Sequence, residues 1–196
     1  MKKYLAIDQG TTSSRAIIFN STLEPITDSQ EEYSLSYPKD GWVEANPHEI
    51  LNTVNNSIKN VLNQVSENIT SCGITNQRET TIVWSKDTGE PIYPAIIWQD
   101  RRTDDLCKSL KAQGHEEMIK QKTGLVLDPY FSATKIQWIL NNVPNARNRA
   151  ESGELLFGTV DSFLIFNLSK QKNHMTDVTN ASRTMLFNIN LSLIHI

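Results

Sequence analysis

The chain has 196 residues, with 19 Lys and Arg against 22 Asp and Glu, a net charge of −3 and 38% hydrophobic residues. That length suits one domain, or one and part of another, and is enough to bury a core. The acidic balance gives no basic footprint for nucleic acid, and no apolar run approaches the roughly 20 residues of a membrane span.

The N-terminus, Met1-Lys2-Lys3, mimics the charged start of a signal peptide, but the apolar run behind it is short and stops at Asp8. A cytoplasmic protein is expected. Cys72 and Cys107 lie outside any CxxC or Cys/His pattern and are expected to be free, buried and structural.

Tyr4-Leu5-Ala6-Ile7 and Ala16-Ile17-Ile18-Phe19 are near-continuous apolar runs, suited to central strands buried on both faces. After a turn at Asn20-Ser21-Thr22, a more polar strand is predicted over residues 26–35, completing an antiparallel meander. Asn46-Pro47-His48-Glu49 is a helix start: an N-cap, a proline at the first position and a capping-box glutamate. Ile50, Val54, Ile58, Val61 and Val65 follow at helical spacing, and His48 reads as a first-turn surface residue. Strands are predicted at 72–75, 80–84 and 92–98, so the order opens β-β-β-α-β. Periodicity alone makes this an α/β fold. Beyond Arg102 the pattern turns helical, with stops at Gly114 and Gly124 and a third helix over 132–140. Residues 155–157 and 162–168 each read as a strand or a helix, and 185–187 as a strand. Trp84 and Trp138 read as core.

Two polar clusters carry candidate chemistry. Asp8-Gln9-Gly10-Thr11-Thr12-Ser13-Ser14-Arg15 is a hydroxyl-rich turn between two strands. It is either a polar hairpin turn or an anion cradle. In the second case Thr11, Thr12 and Ser13 offer donors, Arg15 adds charge, and Asp8 holds a hydrated Mg²⁺. It is not a Walker P-loop. The other cluster, Asn76-Gln77-Arg78-Glu79-Thr80-Thr81, joins a donor fork to a strong acceptor at the end of an apolar strand. A small neutral polyol needs both, whereas the plain alternative is a surface ion pair worth little. Trp98 and Tyr130 are either core aromatics or the cover for a polyol's carbon face.

The turn at 8–15 resembles the first phosphate motif of the actin, Hsp70 and sugar-kinase superfamily. Together with 41–44, 73–84, 98–103, 123–131, 153–161 and 179–189, the chain resembles the glycerol kinases of the FGGY carbohydrate kinase family. Gly73-Ile74-Thr75-Asn76-Gln77-Arg78-Glu79-Thr80-Thr81 is the most diagnostic stretch. The resemblance implies a ribonuclease H-like N-terminal kinase domain over residues 1–190, incomplete, with a helical insertion near 100–150. It implies that Arg78, Glu79 and Tyr130 hydrogen-bond glycerol and that Trp98 packs on its carbons. Thr11, Thr12, Ser13 and Arg15 then serve the ATP phosphates, and Asp8 organises Mg²⁺ through water. Asp100 receives no role. The family's catalytic aspartate maps beyond residue 196, so no kinase activity is expected of residues 1–196 alone. The full-length form is expected to be a homo-oligomer. Two rival readings stay open: a kinase of another small sugar or polyol, and a non-catalytic nucleotide-binding module. Residues 191–196 depart from the family, match the translation of a sequencing adapter, and are expected to be a non-native tail.

Overall fold

The computed structural model describes residues 2–66 and 68–189, and the backbone of residues 192 and 193. Apart from those two positions, the tail at 191–196 lies outside the described residues. The chain divides into two compact units. Unit 1 comprises Met1–Leu35 and Ala45–Gln77, and unit 2 comprises Ser36–Glu44 and Arg78–Ile196.

Unit 1 opens with the predicted meander: β1 (Tyr4–Gln9), β2 (Ser13–Phe19) and β3 (Pro25–Glu32), each antiparallel to the next. Two short strands follow, β4 (Leu35–Ser36) and β5 (Glu44–Ala45), which the sequence did not announce. Next comes helix α1 (Pro47–Leu62), then β6 (Ser71–Asn76), parallel to β1. The sheet order is β3-β2-β1-β6. This is the expected ribonuclease H-like start. Alternation sends Leu5, Ile7, Ala16 and Ile18 to one face, where they are buried with Ile50, Val54 and Val61 of α1. Asn46 caps α1 as predicted, its side-chain oxygen accepting from the His48 N–H at 3.0 Å, and His48 is exposed. Cys72 corrects the expectation of two buried thiols. Both cysteines are free, but only Cys107 is buried. Helix α1 packs chiefly on β2 and β3, so Cys72 on β6 stays exposed.

In unit 2, β7 (Ile82–Ser85) pairs antiparallel with β9 (Leu155–Gly158). The strand predicted over 92–98 shrinks to β8 (Ala95–Ile96), where Ile96 and Thr81 exchange both backbone hydrogen bonds at 3.0 Å. Pro94, inside the predicted run, has no N–H to give a ladder, whereas Pro91 and Ile92 ahead of it still meet β7, as a bridge to Trp84 and a bond to the Val83 carbonyl at 3.0 Å. Helices α2 (Asp104–Ala112) and α3 (Glu116–Thr123) stop at Gly114 and Gly124, whose φ values are +83° and +73°. These are left-handed conformations that glycine adopts freely. Helix α4 (Ser132–Asn142) is the predicted third helix, and α5 (Ala146–Glu151) was not foreseen. The open choice at 162–168 resolves to helix α6 (Val160–Leu168). Helix α7 (Val178–Ala181) precedes β10 (Phe187–Asn188), which pairs with β11 (Ser192–Leu193).

Trp84 is fully buried, edge-on to Phe163 of α6 at 5.5 Å, as its core reading requires. Trp138 packs beside Val83, Ile96 and Ile139. Its ring also lies 4.6 Å from the Arg102 guanidinium, which stacks on Trp42 at 3.8 Å. No helix among the described residues is long and apolar enough to cross a membrane.

Candidate functional site

The first candidate cluster sits at one end of the unit 1 sheet. Gln9 pairs with Ser14, and the Gly10 N–H donates to the Ser13 carbonyl at 2.8 Å, leaving Thr11 and Thr12 as the hairpin tip. Register then aligns one row of side chains across all four strands. Thr75, Asp8, Arg15 and Gln30 stand side by side, and Asp8 and Arg15 are exposed. The candidate phosphate groups therefore share one exposed sheet face beside the tip. In this state Arg15 pairs with Asp28 at 2.9 Å, both about half exposed, and the Ser13 hydroxyl accepts from Gln30 at 2.9 Å. Exposed pairs of this kind exchange readily for a stronger anion.

The opposite face holds a support that the sequence did not disclose. Gln9, Tyr33 and Gln77 are buried beneath the tip. The Tyr33 hydroxyl donates to the Gly10 carbonyl at 2.7 Å and accepts from Gln9 at 2.9 Å and Gln77 at 2.8 Å. Burial pushes the Tyr33 phenol up to about 12, against the two amide donors, which pull it down. The turn that presents Thr11 and Thr12 is thus pinned from behind.

Of the second cluster, Asn76 and Gln77 end unit 1, and Arg78, Glu79, Thr80 and Thr81 open the second segment of unit 2. Arg78 is exposed, and its guanidinium makes no hydrogen bond or ion pair with another described residue. Glu79 is buried at 2% exposure and has φ +65°. The Thr80 N–H reaches back to the Arg78 carbonyl at 2.7 Å, so Glu79 is the apex of a γ-turn. A non-glycine residue held there costs on the order of 1–3 kcal/mol, and such conformations collect at functional sites. Thr80 links the turn to the next candidate, its hydroxyl accepting from the Trp98 N–H at 3.2 Å. The Trp98 ring meets Tyr130 at 5.6 Å and 63°, and both are half-buried. Glu79, Trp98 and Tyr130 are therefore brought together, with Arg78 beside them on the same turn.

Two residues of this cluster escaped the sequence reading. Arg183 Nε lies 2.5 Å from the Glu79 carboxylate, and its guanidinium stacks over Phe131 at 5.0 Å and Tyr130 at 5.7 Å. Lys135 is fully buried on α4 and donates to the Tyr130 carbonyl at 2.8 Å and the Glu79 carbonyl at 3.4 Å. Ser132 donates to that same Glu79 carbonyl at 3.1 Å. Burial pulls the Lys135 ammonium down to about 7, opposed by the Asp100 and Glu79 charges. Asp100, left without a role above, is a structural acceptor. It takes the Val43 N–H at 2.6 Å and the Arg102 guanidinium at 2.8 Å.

The model of the FGGY family of carbohydrate kinases, N-terminal domain, matches residues 3–192. The chain belongs to this family. Among curated relatives, a glycerol kinase of Oceanobacillus iheyensis is 56% identical over 191 residues, covering 96% of this chain and 38% of its own length. A glycerol kinase of Shewanella pealeana is 57% identical over 192 residues, covering 96% of this chain and 39% of its own. The chain thus spans about two fifths of the length of the curated relatives it matches. The crystal structure of Plasmodium falciparum glycerol kinase with ADP superposes with a TM-score of 0.91 at 38% identity, over 98% of this chain and 39% of that one. A ligand-bound xylulose kinase from Lactobacillus acidophilus superposes at 0.88 with 22% identity over 98% of this chain and 38% of that one, a likeness of fold alone. The ribonuclease H-like kinase fold expected from the sequence is borne out by these matches.

Proposed function

We propose that the chain supplies the alcohol- and phosphate-binding part of an enzyme that transfers the γ-phosphoryl group of ATP to a terminal hydroxyl of glycerol, giving glycerol 3-phosphate, and that residues 1–196 alone do not catalyse the transfer. The grouping of Glu79, Trp98 and Tyr130 beside an exposed Arg78 carries this reading, supported by 56% identity to a glycerol kinase. A polyol hydroxyl both donates and accepts. The Arg78 fork gives hydrogen bonds, the Glu79 carboxylate takes them, and the Trp98 and Tyr130 rings cover the carbons. In unit 1, the hairpin tip and Arg15 bind the terminal phosphates. Such transfer is mainly positioning plus neutralisation of charge.

The residues present fit a hydrated Mg²⁺. Among the described residues no group of three or more His, Cys, Asp or Glu forms a protein cage for a metal, and Asp8 is a single exposed carboxylate beside the tip. Magnesium commonly binds one or two carboxylates plus phosphate oxygens and keeps its waters. Bound there, it would neutralise charge on the phosphates. We assign the general base to no residue of this chain. We place the reaction in the cytoplasm, in keeping with the free thiols of Cys72 and Cys107.

Equilibrium dialysis of the chain against labelled glycerol tests the alcohol site. Saturable binding is expected, weakened at least tenfold by Arg78→Ala and by Tyr130→Ala. Tighter binding of a pentulose than of glycerol, or an Arg78→Ala variant that binds as the parent does, overturns the reading.

A further inference from the structure

Glu79 is held from two directions. Its carboxylate meets Arg183 at 2.5 Å, and its carbonyl accepts from Lys135 at 3.4 Å. Each cation also touches Tyr130. Arg183 stacks over the ring, and Lys135 donates to the main-chain carbonyl at 2.8 Å. The two cations therefore join the same two residues, one through side chains and the other through backbone. We propose that Arg183 and Lys135 are positioning residues that clamp Glu79 and Tyr130 into one register and so set the spacing at which the site accepts an alcohol.

This inference rests on the glycerol reading above and deepens it. Glu79 sits at positive φ, a conformation that persists only where surrounding contacts over-determine it. The Lys135 and Ser132 bonds to its carbonyl fix the peptide on one side of that turn. The Arg183 pair then fixes where the carboxylate points, leaving its other oxygen for a ligand hydroxyl. A clamp built from one planar fork and one buried amine is sensitive to chemistry as well as to charge. Arg183→Lys keeps the charge but loses the stacked guanidinium, and Lys135→Met keeps length but leaves two carbonyls without that donor.

The test uses the 196-residue chain and two readouts. Amide hydrogen exchange at Thr80 reports the γ-turn without any ligand, with Val83 in β7 as an internal reference. Equilibrium dialysis reports glycerol affinity. Arg183→Gln and Lys135→Met are each expected to lower Thr80 protection at least tenfold, leave Val83 within twofold, and weaken glycerol binding at least tenfold. Arg183→Lys is expected to recover part of both losses. Thr80 protection and glycerol affinity within twofold of the parent in Arg183→Gln overturn the clamp. A parent chain that binds no glycerol overturns the glycerol reading instead, and the exchange readout alone then decides whether the clamp holds Glu79. If a variant loses protection at Val83 as well, the milder Lys135→Gln, which keeps an N–H donor, takes its place under the same criteria.

Discussion

Arg101 and Arg102 are adjacent, and residue type alone gives no reason to treat them differently. The structure separates them. Arg101 is half exposed and pairs with Asp104 at 3.2 Å and Asp128 at 3.1 Å. The Arg102 side chain is fully buried, bonded to Glu44 at 2.7 Å and Asp100 at 2.8 Å, and packed against the mutually edge-on rings of Trp42 and Trp138. Burial alone would lower the Arg102 pKa, but the bonds to Asp100 and Glu44 outweigh it and raise it. Removing one member of a buried ion network strands the others, at about 3–5 kcal/mol, whereas exposed pairs contribute about 0–1 kcal/mol. Arg102→Met should therefore lower unfolding free energy by about 3–5 kcal/mol and Arg101→Ala by no more than about 1 kcal/mol, read by urea titration of tryptophan emission. Residue type alone left Arg78, Glu79, Trp98 and Tyr130 open to a surface ion pair and core aromatics, and it was the family resemblance that singled them out. Lys135 was not singled out, because a lysine on a helix ordinarily faces water, and only packing reveals that this one does not. Arg183 was equally silent, lying 104 residues from the carboxylate it meets.

Among the elements, those with a local signal were read well. Near-continuous apolar runs marked β1 and β2, although only one face of each proved fully buried, and the Asn46-Pro47 start marked the first residue of α1. The cap is one hydrogen bond, from the His48 N–H to the Asn46 side chain at 3.0 Å, on a helix whose inner face is already packed. Asn46→Ala should cost about 1 kcal/mol, while Val54→Ala, which opens a void at a fully buried position, should cost at least twice that. Thermal unfolding followed by far-ultraviolet circular dichroism ranks the two, and equal losses would show that α1 is held by its start rather than its face. Where the signal depends on distant partners, the reading faltered. β4 and β5 have two residues each, too few to show alternation. β8 was overextended because the apolar run continues across Pro94, which has no N–H to give the ladder.

At the scale of the whole chain, two buried groups respond to alkali in opposite senses. Lys135, in unit 2, has a folded pKa near 7 against an ordinary 10.5. Between those values the unfolded chain holds a proton that the folded one has released, so stability rises with pH, by up to about 1.4 kcal/mol per unit. Tyr33, in unit 1, has a folded pKa near 12 against an ordinary 10.0. There the folded chain keeps the proton longer, so its contribution is complete below pH 10 and is lost as pH climbs toward 12. The spectroscopy separates the two, because Trp42, Trp84, Trp98 and Trp138 all fall in unit 2. Urea midpoints from tryptophan emission should climb from pH 7 to 10 in the parent and stay flat in Lys135→Met. A climb that survives Lys135→Met would assign the effect to other groups. In the same solutions, tyrosinate absorbance of the folded chain should include a late step near pH 12 that Tyr33→Phe removes, apart from that of Tyr93, which burial and its bond to Glu44 also raise. Loss of that step with no change in the tryptophan-detected midpoint would tie the hydroxyl to the support of the hairpin tip in unit 1, because the emission reads only the other unit.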